Sequence, residues 1–260
     1  METCGNRLRV LFMHGLESGV GGSKDCYLRQ HFEVLTPDMQ MSVFRRDRAN
    51  SVVNNMRRHP LFWCWVALAP ATLLYAMISC GPMAWFAWLA MAVTTLWLLF
   101  RHAFSTSLER CIEIQTKAIK EFQPDIVVGS SWGGAVALTC AARGIYTGPL
   151  LALAPVPKKV LWYLGDFSGS RWSALCNGIK TSSAQCTVIV HGDADETVSI
   201  ADSRSLASKS GATLIEIPGG DHRLNAALVD GESGRGSSDR LRQLVCEVAA
   251  KTRSGAVTHN

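Results

Sequence analysis

Along most of the chain, short apolar runs alternate with longer stretches in which apolar side chains recur every three or four positions. The first pattern is that of strands buried on both faces, and the second is that of helices that cover them. The expected fold class is therefore α/β, a mostly parallel sheet of about six strands flanked by helices. Strands are predicted at residues 8–13 (LRVLFM), 33–36, 126–128, 150–153, 187–190 and 213–217. Helices are predicted at roughly 24–31, 107–122, 132–143, 201–209 and 239–251. Residues 158–185 carry both patterns, while 231–238 (GESGRGSS) read as a loop.

One stretch breaks the alternation. Residues 61–100 contain no Asp, Glu, Lys, Arg or His. A Ser-Cys-Gly-Pro turn at 79–82 divides them into halves, each close to the ~20 residues a helix needs to cross a bilayer. A membrane helical hairpin, residues 59–100, is thus expected to be inserted into an α/β domain formed by 1–58 and 101–260. Five of the eight tryptophans lie here: Trp63, Trp65 and Trp97 near the outer ends, Trp85 and Trp88 near the turn, as aromatic belts at two interfaces require. Arg45, Arg46, Arg48, Arg57 and Arg58 precede the stretch and Arg101 follows it, which by the positive-inside rule places both ends in the cytoplasm. A soluble helical lid is the competing reading, but a lid has a polar face and neither half shows one.

Composition narrows the classes. A net charge of +5 with 18% charged residues and no basic block interleaved with aromatics argues against nucleic acid as a partner. Nine cysteines without a C-x-x-C pair point to free thiols in a reducing compartment. The first fifteen residues hold no apolar run of signal-peptide length, so export of the catalytic part is not expected.

The chemistry begins at DIVVGSSWGGAVAL, residues 125–138, where a β-branched run stops at small residues and turns at once into a helical pattern. Gly129-Ser130-Ser131-Trp132-Gly133 fits G-x-S-x-G, the turn that holds a serine up between a strand and a helix. Ser131 is the candidate nucleophile, against the simpler reading of a helix-capping serine. An acyl-transfer site needs backbone N–H groups for the oxyanion; Trp132, next after the serine, is one candidate donor, and Leu16, after His14-Gly15 at the end of the first strand, is the other. The ESGVGGS run at 17–23 lacks phosphate-loop spacing and reads as a rim. A strand running into TVIVHGDADETV, 187–198, offers Asp193, Asp195 and Glu196 as a carboxylate for a histidine, and spacing does not choose among them. His222, in a glycine-rich loop after the last strand, is the candidate general base, whereas His14 and His191 sit at strand ends in packed positions.

Taken together, H-G-L, G-S-S-W-G-G, H-G-D-A-D-E-T-V and G-D-H-R-L, in the order serine, acid, histidine, resemble the α/β-hydrolase superfamily, in particular its small, nearly capless esterase-like members. The resemblance covers nearly the whole chain except the hairpin. It implies a catalytic triad Ser131, Asp195 and His222, with Asp193 as the fallback acid, and an oxyanion hole formed by the Leu16 and Trp132 amides. Because H-G arrives already at residue 14, fewer N-terminal strands than that family commonly has are expected. The implied activity is a membrane-associated serine esterase, lipase or thioesterase that works without metal or organic cofactor. Its substrate would be a carboxylic ester or thioester, and the hairpin, anchoring the chain in a lipid bilayer, favours one that is itself membrane-held. Two other expectations compete with it: a catalytically inactive adaptor of the same fold anchored by the hairpin, and a soluble, cytoplasmic lipase whose hairpin is an apolar lid.

Overall fold

The computed structural model describes residues 7–16, 18–79, 81–229 and 239–255. The chain forms two compact units, one of Met1–Met39, Cys111–Trp162 and Asp166–Asn260, the other of Gln40–Arg110 and Tyr163–Gly165.

The larger unit is built on one sheet. Strands β1 (Arg9–Met13), β2 (Glu33–Leu35), β5 (Ile126–Ser130), β6 (Leu150–Leu153), β7 (Thr187–Gly192) and β8 (Thr213–Ile217) lie in the order β2-β1-β5-β6-β7-β8. Every neighbouring pair is parallel. All six correspond to the apolar runs read from the sequence. β1, β5, β6 and β7 are buried on both faces, which is why they read as continuous apolar runs rather than alternating ones.

Successive side chains point to opposite faces of a strand. Val10, Phe12, Ile126, Val128, Leu151, Leu153, Val188 and Val190 pack in one cluster with α1 (Ser23–His31) and α10 (Arg240–Gly255). The alternate residues, among them Leu11, Val127, Ala152 and Ile189, are equally buried. They face the layer of α5 (Trp132–Ala142), α7 (Ser170–Ser182) and α8 (Ile200–Ser210).

The strand order reverses between β1 and β5. From β1 the chain moves outward to β2, and from β5 it moves the other way to β6, β7 and β8. Diverging connections leave a crevice at the carboxyl ends of the two strands, the place where open α/β sheets bind ligands. Here those ends carry His14-Gly15-Leu16 and Ser131.

The smaller unit contains a two-residue parallel ladder, β3 (Met41–Ser42) with β4 (Asn50–Ser51), then α2 (Val52–Arg58) and α3 (Pro60–Ser79). It also takes in the first part of α4 (Gly81–Phe122). A buried polar knot holds its base: Asn50 Nδ2 donates to the Ser107 carbonyl at 3.0 Å and Asn55 Nδ2 to Ser107 Oγ at 2.8 Å. Helices α3 and α4 run antiparallel against each other. The Trp88 indole N–H donates to Thr72 Oγ1 at 3.0 Å, and the His59 and His102 rings meet with centroids 5.1 Å apart.

Three elements differ from expectation. No break separates the apolar stretch from the helix predicted at 107–122: α4 is one helix of 42 residues. Residues 101–106 (RHAFST) contain neither glycine nor proline, and the Thr106 and Ser107 hydroxyls bond back to carbonyls one turn earlier. Among the described residues one helix, Trp85–Phe122, is long and apolar enough to cross a membrane by length and composition, against the two halves expected; α3 itself runs over 20 residues. Finally, the ambiguous 158–185 region is helical, with α6 (Pro157–Tyr163) and α7. Of its aromatics Trp172 is buried and Tyr163 packs on Phe100 and Phe104, while Trp162 and Phe167 are exposed.

Candidate active site

Ser131 sits between β5 and α5 with φ 53° and ψ −112°, a conformation that L side chains seldom adopt. The turn is tight because its neighbours are glycines. A Cβ on Gly129 would lie 2.6 Å from the Gly133 carbonyl oxygen, and one on Gly133 would strike the Met13 carbonyl of β1. Gly133→Ala is therefore expected to destabilise the protein by about 3 kcal/mol or more, because the obstacle is backbone rather than a movable side chain. A melting temperature equal to that of the wild type would contradict this packing.

The acid and histidine loops are tied to each other. The Ala194 N–H donates to the Gly220 carbonyl and the Asp193 N–H to that of Ile217, both at 3.1 Å. Gly192 and Gly220 touch backbone to backbone, leaving no room for a side chain at Gly192. Asp193 is occupied here, with its Oδ1 accepting the Gly219 N–H at 2.6 Å. Asp195 is the carboxylate beside the histidine. Its Oδ1 accepts the N–H groups of Thr197 (2.8 Å) and Val198 (2.9 Å), and its Oδ2 lies 2.7 Å from His222 Nδ1. Glu196 is exposed.

On the other side of the ring, His222 Nε2 lies 2.9 Å from Ser131 Oγ. A carboxylate only accepts, so the ring proton is on Nδ1 and Nε2 is left to receive the serine proton. Burial pushes the Asp195 carboxyl up, but hydrogen bonds from His222, Val198 and Thr197 outweigh it and hold the group below the usual carboxylate range. Asp195, His222 and the part-buried Ser131 hydroxyl thus stand in one hydrogen-bonded line.

Ser131 and His222 border a cleft of about 520 Å³ whose other walls include Phe12, Gly15, Leu16 and Lys24. Trp132, directly after Ser131, opens α5 and places its amide at the N-terminal end of that helix. The direction of the Leu16 N–H is set by the carbonyl of the same peptide. Gly15 O accepts from His14 Nδ1 at 2.8 Å and from Ser18 Oγ at 2.9 Å. His14 can donate there because its Nε2 accepts the Met39 N–H at 3.1 Å, which leaves the ring proton on Nδ1. In a trans peptide the N–H points opposite to its C=O, so the clamp turns the Leu16 amide away from both donors.

Two further groups brace the cleft. Buried Asp25 ties the Gly21 N–H (2.7 Å), Arg29 Nε (2.9 Å) and Thr36 Oγ1 (2.6 Å), anchoring the glycine-rich rim. Lys24 Nζ donates to the Arg223 carbonyl and to Asn225 Oδ1 at 3.0 Å, joining α1 to the segment after His222. These supports leave little trace in the sequence: His14 reads there as packed and Ser18 as part of a rim, and the one signal is that His14 directly precedes the glycine of a strand end. Glu17 lies outside the described residues.

No protein-family model matches the sequence, and no curated protein is similar to it. Solved structures are similar in fold. Est1E from Butyrivibrio proteoclasticus has a TM-score of 0.52 at 14% identity, with 94% of this chain and 89% of that chain covered. A structure from a study of carboxylesterases of the thaumarchaeon Nitrososphaera gargenis has a TM-score of 0.50 at 10% identity, covering 95% and 92%. The fold is that of the α/β-hydrolases. A weaker match is MGS-MChE2, an alpha/beta hydrolase enzyme from a lagoon-sediment metagenome, with a TM-score of 0.46 at 14% identity over 94% and 90% of the two chains. Within the α/β-hydrolase fold, the serine turn, acid loop and histidine loop described above follow β5, β7 and β8, and the long apolar insertion falls between β2 and β5.

Proposed function

We propose that this chain is a serine hydrolase that cleaves carboxylic esters or thioesters through an acyl-serine intermediate. The observation that carries the reading is the unbroken line from Ser131 Oγ to His222 Nε2 (2.9 Å) and from His222 Nδ1 to Asp195 Oδ2 (2.7 Å) beside an open cleft.

His222 takes the Ser131 proton as the hydroxyl oxygen attacks the substrate carbonyl, and the Asp195 charge stabilises the imidazolium that forms. The oxyanion of the tetrahedral intermediate is held by the Leu16 and Trp132 amides, which need no reorganisation because the Gly15 clamp and α5 already aim them. His222 then gives its proton to the departing alcohol or thiol, leaving the acyl group on Ser131. A water molecule, deprotonated by the same ring, attacks the acyl carbonyl and releases the acid. None of these steps calls on a metal or organic cofactor.

The same reading places the enzyme on a membrane through residues 61–100, with the catalytic part on the cytoplasmic side. It is supported by side chains that a soluble lid would turn inward. Leu61, Leu68, Leu74, Tyr75, Ile78, Phe86 and Met91 are each more than half exposed, spread over α3 and α4. A membrane-held substrate, such as an acylglycerol, a lysophospholipid or an S-acylated protein, would meet the cleft at raised effective concentration.

Fluorophosphonate labelling of the detergent-solubilised protein tests the nucleophile. Modification at Ser131 in the wild type, and its loss in Ser131→Ala, is the expected result. A folded wild type that stays unlabelled would leave a catalytically inactive, membrane-anchored adaptor as the better description.

A further inference from the structure

His191, on β7, is fully buried and takes no part in the steps above. Its Nε2 lies 3.0 Å from Asp195 Oδ2 and 3.1 Å from the Val198 carbonyl oxygen, and its Nδ1 lies 2.7 Å from Ser203 Oγ on α8. A carbonyl oxygen only accepts, so the ring proton is on Nε2 and is donated to the Val198 carbonyl, with Asp195 Oδ2 close beside it, while Nδ1 accepts the Ser203 O–H. Asp195 Oδ2 thus accepts the His222 Nδ1–H and lies in close polar contact with the edge of the His191 ring.

We propose that His191 is a positioning residue of the catalytic site: it holds Asp195 Oδ2 in line with His222 Nδ1. The inference rests on the hydrolase reading above. The Thr197 and Val198 amides fix Oδ1 and with it the turn of the carboxylate, so the place of Oδ2 depends on how the Thr197–Val198 segment is held. His191 holds that segment through the Val198 carbonyl and closes the side of Oδ2 away from His222 at 3.0 Å.

The ring itself cannot drift. It is held at both nitrogens, and Gly192, the next residue, is in backbone contact with Gly220 of the histidine loop. The charged neighbour on the adjacent strand does not compete for it: Glu216 stands opposite His191 on β8 and is bound by Arg204 through both carboxylate oxygens, at 2.8 and 2.6 Å. Of the other titratable groups near Asp195, His222 is bonded to it, Asp193 is bound to the Gly219 amide and Glu196 is exposed.

The test compares wild type, His191→Phe and His191→Gln as full-length, detergent-solubilised proteins. Three quantities are read: the rate of fluorophosphonate labelling at Ser131 as a function of pH, kcat and KM for 4-nitrophenyl butyrate, and the melting temperature. In His191→Phe the labelling rate and kcat should fall about tenfold or more, a fraction of the ~10⁴ lost when the carboxylate partner of a triad histidine is replaced. KM should stay within about twofold, since substrate does not touch the ring. The pH midpoint governed by His222 should move down, because its imidazolium loses an aligned carboxylate. His191→Gln, whose amide N–H reaches near the Nε2 position, should recover most of the rate and the midpoint.

A Phe variant that melts with the wild type and matches its rate and midpoint would overturn the proposal, as would a Gln variant no better than Phe. If the Phe variant does not fold, Ser203→Ala decides: removing the hydroxyl that fixes the ring's tautomer must move the midpoint in the same direction, and no movement overturns the proposal. A wild type that never labels defeats the hydrolase reading instead, which keeps the two failures apart.

Discussion

Asp195→Asn is expected to lower kcat by about 10⁴-fold while KM changes by less than about threefold. Both oxygens of this carboxylate face donors: two amides on one side and the His222 Nδ1–H on the other. An asparagine must turn its NH₂ towards one of those sets, and if it meets His222 the ring flips to the wrong tautomer and can no longer accept the Ser131 proton. Asp193→Asn is the matched control. Its Oδ1 can still accept the Gly219 N–H, so kcat should remain within about threefold of wild type. Steady-state kinetics on a soluble ester separates the two, and an equal loss in both variants would remove Asp195 from its assigned role.

The same carboxylate sets a stability window. Its folded pKa lies below the usual range, so its contribution is fully present above the unfolded value of about 3.9 and is lost as the pH falls through the folded value. Wild type and Asp195→Asn should therefore differ in melting temperature at neutral pH and converge in the acid range below about pH 4.

Replacing residues 61–100 with a short Gly/Ser linker is expected to move the protein from the membrane pellet to the soluble fraction. The linker can be short because the rings of His59 and His102, just outside the replaced stretch, are only 5.1 Å apart. Hydrolysis of a small soluble ester should survive, since the residues around Ser131 and its cleft belong to the larger unit. Carbonate washing followed by centrifugation measures the first effect. Retention of the shortened chain in the pellet would show that something other than the apolar helices anchors it, and a full-length chain already soluble without detergent would favour the lid.

The sheet was legible in the sequence because strands buried on both faces write an unmistakable pattern: VLFM, IVVG, LLAL and TVIV are each followed by small or polar residues at a carboxyl end. The positions of Ser131, Asp195 and His222 were legible for a related reason, since each follows such a run. What decided between Asp193 and Asp195 was tertiary. Both lie just after β7, and only the hydrogen bonds between the two loops direct Asp193 to Gly219 and leave Asp195 to His222. The contacts of His14, Ser18 and His191 were hidden in the same way, because a histidine at a strand end reads alike whether it fills space or aims a neighbour. The length of α4 escaped because its apolar and amphipathic parts carry different patterns, and a change of pattern does not break a helix unless a glycine or proline stands there.

The pairing of β1 with β5 has a bearing on how the protein is made. These central strands are partners, yet the Arg9 N–H and the Asp125 carboxylate that bond at their edge are 116 residues apart in the chain. During synthesis β1 waits for its neighbour until everything in between has left the ribosome, and that interval includes the uncharged stretch of residues 61–100. The apolar helices can form early because their contacts are local, whereas a parallel pairing over such a separation forms late. The growing chain thus carries its uncharged segment while only the β1–β2 edge of the sheet has been made, and before the strand that leads to Ser131.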